Sequence, residues 1–556
     1  MKDLFVASKF AFQNWVRIHD FECNYWNWMR GKNVVWCAAL HGLTAIVEWL
    51  LLSVARQGEL VEALYAASQG GHKNIVEMVI EKRANVNAQG GQYGNALQAA
   101  PHWGHNNIVE LLIEKGANVN AQGGFYGNAL QAASQGGHKN IVELLLEKGV
   151  NVNAQGGEYG NALQAASQWV HSNNIVELLI EKGANVNAQG GKYGNALQAT
   201  SHWGHNNIVE LLLEKGANVN AQGRQYGNAL QAASQGGHNN TVELLLENGA
   251  NANAQGGQYG NALQAASLRG HKNIVELLLE KGANVNAQGE YGNALQAASH
   301  GGHKNIVELL IEKGGNVDAQ EGQYGNALQA ASQRAHKNIV ELLLEKGAVV
   351  NVQGGRYGNA LQAASYGSNN EILQLLLERG ANVHAQGGKY GHALQAASLC
   401  SITIETVELL LERGADVNAQ VGKYGNAFQA ASYKGHIKVV QLLLERGAKV
   451  NATGGKCGNA LQVASFQGHI DIVQVLLKFR PNASYSHLAT FGKSENLVEL
   501  CNPLQAACLQ DHWSVAKLLL DHGVEQEHLD TAHDSASAKG YQYIVDPSLD
   551  HGAQQK

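Results

Sequence analysis

The amino-acid sequence repeats itself with a period of 33 residues. The segment Tyr126–Ser134, which reads Tyr-Gly-Asn-Ala-Leu-Gln-Ala-Ala-Ser, recurs unchanged at Tyr159–Ser167, Tyr226–Ser234 and Tyr259–Ser267. With slips of one residue, the same step separates the apolar residues at the centre of each repeat: Leu97, Leu130, Leu163, Leu197, Leu230, Leu263, Leu295, Leu328, Leu361, Leu394, Phe428 and Leu461. A fixed period of this length predicts a stack of small structural units. One unit cannot bury its own apolar face, so neighbouring units must supply the core and the stack's surface must supply the function.

A single repeat predicts two helices and an extended segment. Asn128 precedes Ala-Leu-Gln-Ala-Ala-Ser and can cap the first helix, because its side-chain oxygen can accept from a free backbone N–H of the first turn. The apolar residues of Ile141–Lys148 cover about half of a helix circumference, which predicts a second helix buried between neighbours. Gly149 follows at a position that favours left-handed backbone. Residues 150–154 then predict an extended finger that ends in a Gln-Gly-Gly turn.

This order of elements resembles the ankyrin repeat. Gly204-His205 and the run Ile208–Ala221 match the family's second helix and finger, whereas Asn195–Gln198 reads Asn-Ala-Leu-Gln where the family usually has Thr-Pro-Leu-His. The resemblance implies an all-α repeat fold, an ankyrin-repeat solenoid of helix-turn-helix units with extended β-hairpin-like fingers. It covers roughly residues 34–523 and implies about fifteen repeats.

The repeat pattern divides the chain into three expected segments. Residues 1–33 match no repeat and form an aromatic N-terminal capping segment in this interpretation. Residues 34–523 form the ankyrin array, with degenerate first units and a loop insertion at about 479–502, where the repeat step lengthens from 33 to 43. Residues 524–556 are expected to be a capping remnant followed by a polar tail.

A second resemblance concerns the kind of ankyrin protein. The segment Asn14–Asp20 resembles the junction that precedes ankyrin arrays in fungal NACHT-ankyrin proteins, which are NLR-like receptors. The Tyr-Gly-Asn-Ala-Leu-Gln-Ala-Ala-Ser variant is also similar to those arrays. The resemblance implies that this chain corresponds to the sensing or scaffold half of such a receptor.

Composition and charge narrow the expected partners to other proteins. The chain has 40 Lys and Arg against 46 Asp and Glu, a formal net charge of −6, so no nucleic-acid partner is expected. The longest apolar runs span about two helical turns, so no membrane partner is expected either. The six cysteines form no Cys-x-x-Cys pair, which favours a reducing compartment. We expect a cytoplasmic protein, with the nucleus as an open alternative.

The sequence offers no catalytic, cofactor-binding or metal-binding candidates. Gly492-Lys493-Ser494 lacks the upstream glycine of a phosphate-binding loop. The Gly-His pairs, such as those at His105 and His138, recur once per repeat and are too far apart to share one metal ion, so we interpret them as structural groups that bond the turn between the helices. No small-molecule substrate is evident. We therefore predict a protein that is not an enzyme, and consider two alternatives: a mechanical spacer solenoid, or an enzyme with an unrecognised site in residues 1–33 or 524–556.

Positions that vary between otherwise constant repeats are candidates for partner binding. They lie immediately before the tyrosine and in the pair of residues after the serine, and in the ankyrin family the matching positions line the fingertips and the concave face. The predicted partner-binding residues are His102, Trp103, Phe125, Trp169, Lys192, His202, Trp203, Arg269, Arg334, Arg356, Tyr366, Tyr433 and Lys434. The three tryptophans share one register and are the expected hot spots. The alternative is that each tryptophan packs across the turn of its own repeat.

Overall fold

Pairs of short helices, joined by turns and extended fingers, recur along the described chain. The computed structural model describes residues 34–52, 56–169, 173–223, 225–289, 292–320, 322–400, 404–455, 458–479, 487–489 and 499–522. These residues contain thirty helices, which form fifteen pairs. The predicted all-α repeat architecture and the number of repeats are therefore confirmed. The predicted capping segment (1–33) and tail (524–556) lie outside the described residues.

Each odd-numbered helix is the first of its repeat and each even-numbered helix is the second. The first fourteen are α1 (Val34–Leu40), α2 (Thr44–Leu52), α3 (Gln57–Gly70), α4 (Lys73–Glu81), α5 (Ala96–His102), α6 (Asn106–Glu114), α7 (Ala129–Gly136), α8 (Lys139–Glu147), α9 (Ala162–Ala166), α10 (Asn173–Glu181), α11 (Ala196–Trp203), α12 (Asn206–Glu214), α13 (Ala229–Gly236) and α14 (Asn239–Glu247). The remaining helices are α15 (Ala262–Arg269), α16 (Lys272–Glu280), α17 (Ala294–Gly301), α18 (Lys304–Glu312), α19 (Ala327–Gln333), α20 (Lys337–Glu345), α21 (Ala360–Tyr366), α22 (Asn370–Glu378), α23 (Ala393–Cys400), α24 (Glu405–Glu412), α25 (Ala427–Lys434), α26 (Ile437–Glu445), α27 (Ala460–Gln467), α28 (Ile470–Lys478), α29 (Pro503–Leu509) and α30 (Trp513–Asp521).

An asparagine and a glutamine start the first helix of a typical repeat. Before α5, the Asn95 side chain accepts from the Gln98 N–H at 2.9 Å, and the Gln98 side-chain oxygen accepts from the Asn95 N–H at 2.8 Å. This reciprocal capping box satisfies two backbone donors that a helix start leaves unpaired. The asparagine cap was predicted, and the same asparagine-to-glutamine bond recurs at Asn195 and Asn426.

The same glutamine also joins each repeat to the next one. The Gln98 side-chain amide donates to the carbonyls of Ala121, Gly123 and Gly127 in the following finger, at 3.0–3.2 Å. Gln98 is only 1% exposed, so these bonds lie in the interior of the stack. The glutamine therefore provides a buried polar link between the start of one helix and the finger that follows it.

The core lies between the two layers of helices. In α8, Ile141, Val142 and Leu145 are fully buried, while Lys139 and Glu143 form an exposed ion pair at 3.5 Å on the opposite side of that helix. First helices of neighbouring repeats, such as α5 and α7, pack directly on one another. Gly149 lies just after α8 and has a φ of 78°, which is the left-handed conformation expected at that position.

Asparagine side chains connect successive fingers. The Asn120 side-chain oxygen accepts from the Asn151 N–H at 2.8 Å in the next repeat, and the Asn151 side chain accepts from the Asn153 N–H at 3.0 Å. The tip of the finger closes in an antiparallel bridge, as between Gly123 and Gly127. The Asn-Val-Asn signature of the sequence thus links these neighbouring fingers through hydrogen bonds between side chains and backbone.

The predicted insertion contains a short antiparallel pair of strands, β1 (His487–Ala489) and β2 (Glu499–Cys501), with Leu488 opposite Leu500.

The fold divides into two compact units, within residues 1–262 and 263–556. Among the described helices, none combines the length and apolar character that crossing a membrane requires.

Candidate protein-interaction face

Stacked tyrosines mark the face that carries the predicted binding residues. The tyrosines that lie three residues before the first helices form a row, which we call the tyrosine column, and several of them stack on their equivalents in the next repeat. In the first unit, the ring centroids of Tyr93 and Tyr126 are 5.2 Å apart and those of Tyr126 and Tyr159 are 6.1 Å apart. In the second unit, Tyr357 and Tyr390 are 5.9 Å apart. The tyrosine rings of these successive repeats therefore lie about 6 Å apart on this face.

A residue at or next to the C-terminal end of several first helices packs against the tyrosine column. The His102 ring stacks on Tyr126 at 4.7 Å, and its Nε2 lies 3.2 Å from the Tyr126 hydroxyl. His202 lies 4.5 Å from Tyr226 in the same arrangement. In the second unit, Tyr366 stacks on Tyr390 at 4.6 Å, and Tyr433 packs against Tyr424 at 5.3 Å in the same register. These four predicted binding residues are half-buried parts of the face.

The predicted tryptophans are exposed beside this packed row. Trp103, Trp169 and Trp203 have relative exposures of 51%, 52% and 47%. The edges of the Trp103 and Trp203 rings meet the rings of His102 and His202 at 5.0 and 5.3 Å. His102 and His202 thus contact one side of the Trp103 and Trp203 rings, while about half of the surface of each of the three tryptophans stays accessible.

A second row of variable residues runs along the fingertips. In the first unit the Phe125 N–H donates to the Gln92 carbonyl, the Glu158 N–H to Phe125 and the Lys192 N–H to Glu158, each at 2.9 Å. Phe125 also contacts Tyr126 at 5.1 Å, and the Lys192 amine lies 5.8 Å from the Tyr193 ring. We call these positions the fingertip row. Their contacts place them on the same face as the tyrosine column.

The second unit carries cations where the first unit carries aromatic rings. Arg334 is exposed at the end of α19, and its Nε donates to His300 at 3.1 Å. Arg356 is an exposed fingertip residue, and the Lys434 amine lies 5.7 Å from the Tyr433 ring. Arg269 is exposed at the end of α15. The variable positions thus share one face within each unit, and their use by a partner stays a prediction.

The repeated histidines hold neighbouring repeats together. The Nε2 of His105 lies 3.1 Å from the Gln69 carbonyl, and that of His138 lies 3.0 Å from the His102 carbonyl. The predicted bond to a turn between helices is present, but it reaches the preceding repeat instead of the histidine's own repeat. Burial lowers the pKa of His105, and the neighbouring His72 and His138 act in the same direction.

Histidines, cysteines and carboxylates are spread along the described residues. No group of three or more His, Cys, Asp or Glu in those residues could hold a metal ion. Burial raises the pKa of the Cys400 thiol, and it raises that of Cys508 to about 12. A nucleophilic cysteine needs the opposite shift, because the thiolate is the reactive form.

Sequence reasoning found the two variable rows but missed two constant features. The tyrosine of the column and the glutamine that links neighbouring repeats are the same residue in most repeats. Their constancy predicts a role in holding the stack together but does not specify which contacts they make. The signal for the glutamine was its fixed spacing of three residues after the asparagine cap, which is the spacing of a capping box.

Comparisons with known proteins agree with the repeat architecture. A family model described as ankyrin repeats (3 copies) matches residues 35–123, 96–190, 196–289, 288–354 and 394–485, and a single ankyrin repeat model matches residues 359–388. The crystal structure of the human ASB11 ankyrin repeat domain is 29% identical, with a TM-score of 0.35, over 40% of this chain and 98% of that domain. A search of curated proteins gave no match.

Proposed function

Because this chain belongs to the ankyrin repeat family, a general protein-interaction module that is typically non-enzymatic, we propose that it is a scaffold that binds other proteins through the fingertip row and the exposed helix ends. The observation that carries this proposal is the set of three half-exposed tryptophans, Trp103, Trp169 and Trp203. Tryptophan is enriched among the residues that dominate interface energies. Large apolar rings that stay exposed on a packed and repeated face are therefore the best candidates for contact with a partner.

Rigidity of the face supports this assignment. The histidine beneath Trp103 is itself fixed between Tyr93 at 5.7 Å and Tyr126 at 4.7 Å. A ring that is already held in place loses little conformational freedom when a partner covers it, so more of the contact energy appears as affinity. The invariant repeat residues supply the support and the variable residues supply the contact.

A pull-down with three forms of the full chain tests the proposal. We expect the combined Trp103→Ala, Trp169→Ala and Trp203→Ala variant to bind a protein partner of this face more weakly by about 2 kcal/mol or more, the hot-spot scale. Its helical content and unfolding midpoint should stay close to those of the unchanged protein, because the truncated rings are half exposed. The matched control is Phe479→Ala, which removes a ring of similar exposure, 55%, at the end of α28.

One outcome would reject the scaffold function, and a second would move its binding surface. A mechanical spacer loses no partner when the three tryptophans are removed. A large drop in the unfolding midpoint with unchanged partner affinity would instead show that the rings stabilise the stack, and partner binding would then have to centre on the fingertips near Phe125, Lys192 and Arg356.

The finer proposal is that the scaffold is the sensing arm of a fungal NLR-like protein. The Tyr-Gly-Asn-Ala-Leu-Gln-Ala-Ala-Ser repeat variant and the Asn14–Asp20 segment support it, since both resemble fungal NACHT-ankyrin proteins. Sequencing the transcript upstream of the Met1 codon tests it. A nucleotide-binding domain in the same reading frame is the expected result, and an unrelated upstream domain would contradict the proposal.

A further inference from the structure

Three cations occupy equivalent fingertip positions in consecutive repeats of the second unit. Arg356, Lys389 and Lys423 are all exposed, and each directly precedes a tyrosine of the column. The Lys389 N–H donates to the Arg356 carbonyl at 2.9 Å, so these two fingertips are in backbone contact. Lys389 and Lys423 each hold their amine 5.7–5.8 Å from the following tyrosine ring. We call Arg356, Lys389 and Lys423 the cation row.

The cation row has no acidic counterpart among the described residues. No ion pair of the described chain includes any of its three members, whereas the fingertip Lys192 of the first unit pairs with Glu158 at 3.9 Å. The pKa of Lys389 is lowered by burial and then by the nearby Arg356, Lys423 and Lys434. Like charges are thus concentrated on this part of the face, although the whole chain has a net charge of −6.

The spacing of the row matches an extended polypeptide. The ring centroids of Tyr357 and Tyr390, which occupy equivalent positions in successive repeats, are 5.9 Å apart. An extended strand advances about 3.3 Å per residue, so residues on one of its faces recur about every 6.6 Å. Side chains at alternate positions of an extended peptide can therefore each meet one repeat, with a mismatch of only about 0.7 Å per repeat.

The aromatic rings of this region do not suit a nucleic acid. Single-stranded nucleic acids bind proteins by stacking their bases on accessible aromatic faces. Tyr357 and Tyr390 are only 8% and 5% exposed, and they stack on each other and on Tyr366. Because neighbouring rings already cover these two faces, Tyr357 and Tyr390 offer no accessible platform on which a base could stack.

We propose that the cation row binds an acidic segment of a partner protein in an extended conformation, with carboxylates at alternate positions along the segment. This inference rests on the proposed scaffold function and specifies the partner's chemistry. Each carboxylate of one peptide face meets one of Arg356, Lys389 and Lys423, while Lys434, 5.7 Å from the Tyr433 ring, adds positive potential at one end. The tryptophans of the first unit are not needed for this contact.

Fluorescence anisotropy with a defined probe tests the proposal on the full chain. The probe is a fluorescein-labelled peptide of six Glu-Thr dipeptides, compared with an isomer whose six glutamates are consecutive and with an oligothymidylate of twelve nucleotides. We expect the alternating peptide to bind most tightly. Combined Arg356→Gln, Lys389→Gln and Lys423→Gln should weaken it about ten-fold, since each exposed ion pair contributes a fraction of that factor.

Glutamine is a conservative substitution for the cation row, and other exposed cations of the chain provide a matched control. Glutamine already occupies the fingertip position at Gln92, Gln258 and Gln323, so the variant should keep the fold. The control replaces Lys346, Arg379 and Arg413, exposed cations that follow second helices, with glutamine. This control carries the same loss of charge and should change the peptide affinity by less than about two-fold.

Four results would overturn the inference: no peptide binding at low salt, equal weakening by both triple variants, equal affinity for the two peptide isomers, or tighter binding of the oligothymidylate that depends on the cation row. The scaffold function is judged separately. If the peptide fails but a protein partner still depends on the three tryptophans, only the acidic partner is rejected. If neither the peptide nor a partner shows any such dependence, the scaffold function fails as well.

Discussion

The glutamine of the Asn-Ala-Leu-Gln motif is the residue that most distinguishes this array. Asparagine was predicted from the sequence to cap the first helix, and the structure shows that cap, with the Gln198 N–H bonded to the Asn195 side chain at 2.8 Å. The glutamine side chain does more, because it bonds both its own helix start and the finger of the next repeat. A single-repeat pattern cannot reveal the second contact, since the acceptors lie 23–29 residues further along the chain.

Gln198→Met should loosen the junction between two repeats. The Gln198 amide donates to Ala221 and Gly227 at 2.9 and 2.7 Å, and its oxygen accepts from the Asn195 N–H at 2.8 Å. Methionine fills similar space without these bonds, so we expect a loss of roughly 2–4 kcal/mol at about 1 kcal/mol per bond. Hydrogen exchange of Ala196–Trp203 and urea unfolding measure it.

The control for this prediction is Gln189→Met, because Gln189 is exposed on a finger of the same unit. It should leave the exchange rates and the unfolding midpoint unchanged. Equal behaviour of the two variants would show that the buried bonds of Gln198 do not contribute to stability.

At the scale of elements, the sequence predicted the type and order of each segment better than its contacts. The second helix was expected from Ile141, whereas α8 begins at Lys139, because polar residues are suited to a first turn that faces solvent and apolar periodicity does not detect them. The extended finger was predicted as well. Its closure by the bridge between Gly123 and Gly127, and its contact with the preceding finger, depend on glycine conformations that composition alone does not specify.

Alanine substitutions at two glycines distinguish the cost of backbone strain from the cost of a close contact between fingers. Gly124 and Gly149 have φ of 63° and 78°, so alanine is strained at both positions. A Cβ at Gly149 would meet no atom within 4 Å, whereas a Cβ at Gly124 would overlap backbone atoms of Tyr93 and Gly94 in the preceding finger. We expect Gly149→Ala to cost roughly 1–2 kcal/mol and Gly124→Ala to cost clearly more.

Thermal unfolding of the two variants measures this difference. The extra loss in Gly124→Ala should come with altered near-ultraviolet dichroism, because Tyr93 belongs to the tyrosine column. If both variants lost the same stability and kept the same tyrosine signal, the close approach of neighbouring fingers would not be important for the fold.

For the whole molecule, internal repetition identified the architecture and both variable rows, but it did not show how deeply each variable side chain is buried. The sequence places His102 and Trp103 side by side in one variable pair. In the structure the first residue packs on Tyr126 while the second is 51% exposed. This difference depends on the 5–6 Å spacing of the tyrosine column, which neighbouring repeats create together. A period in the sequence shows which residues are equivalent, and only the packed structure shows which of them a partner can reach.

Histidines spread over the array couple its stability to pH. Burial is the largest cause that lowers the pKa of His102, His105, His238, His300 and His436. A folded-state pKa below the unfolded value of 6.5 means that the unfolded chain binds protons more readily. The stabilising effect of these neutral rings is therefore fully present above about pH 6.5 and is lost as the pH falls below it.

His300 offers the clearest test, because burial, Arg334 and His336 lower its pKa to about 4. The neutral ring accepts a hydrogen bond from Arg334 Nε and stacks on Tyr324 at 4.1 Å, so its protonation would place two positive charges in contact. Glutamine occurs in the same register at Gln135, Gln235 and Gln333. We expect the unfolding midpoint of His300→Gln to fall less than that of the unchanged protein between pH 6.5 and pH 4.

Carboxylates also titrate in this range, so the informative quantity is the difference between the two midpoints at each pH. That difference should grow steadily in favour of His300→Gln as the pH falls, because only the unchanged protein has a ring at this position that protonates more readily in the unfolded chain than beside Arg334 in the fold. His384→Gln removes an exposed histidine and should follow the unchanged protein throughout. Parallel curves for His300→Gln and the unchanged protein would show that the contact with Arg334 tolerates the protonated ring, and the pH dependence of the array would then arise from its carboxylates.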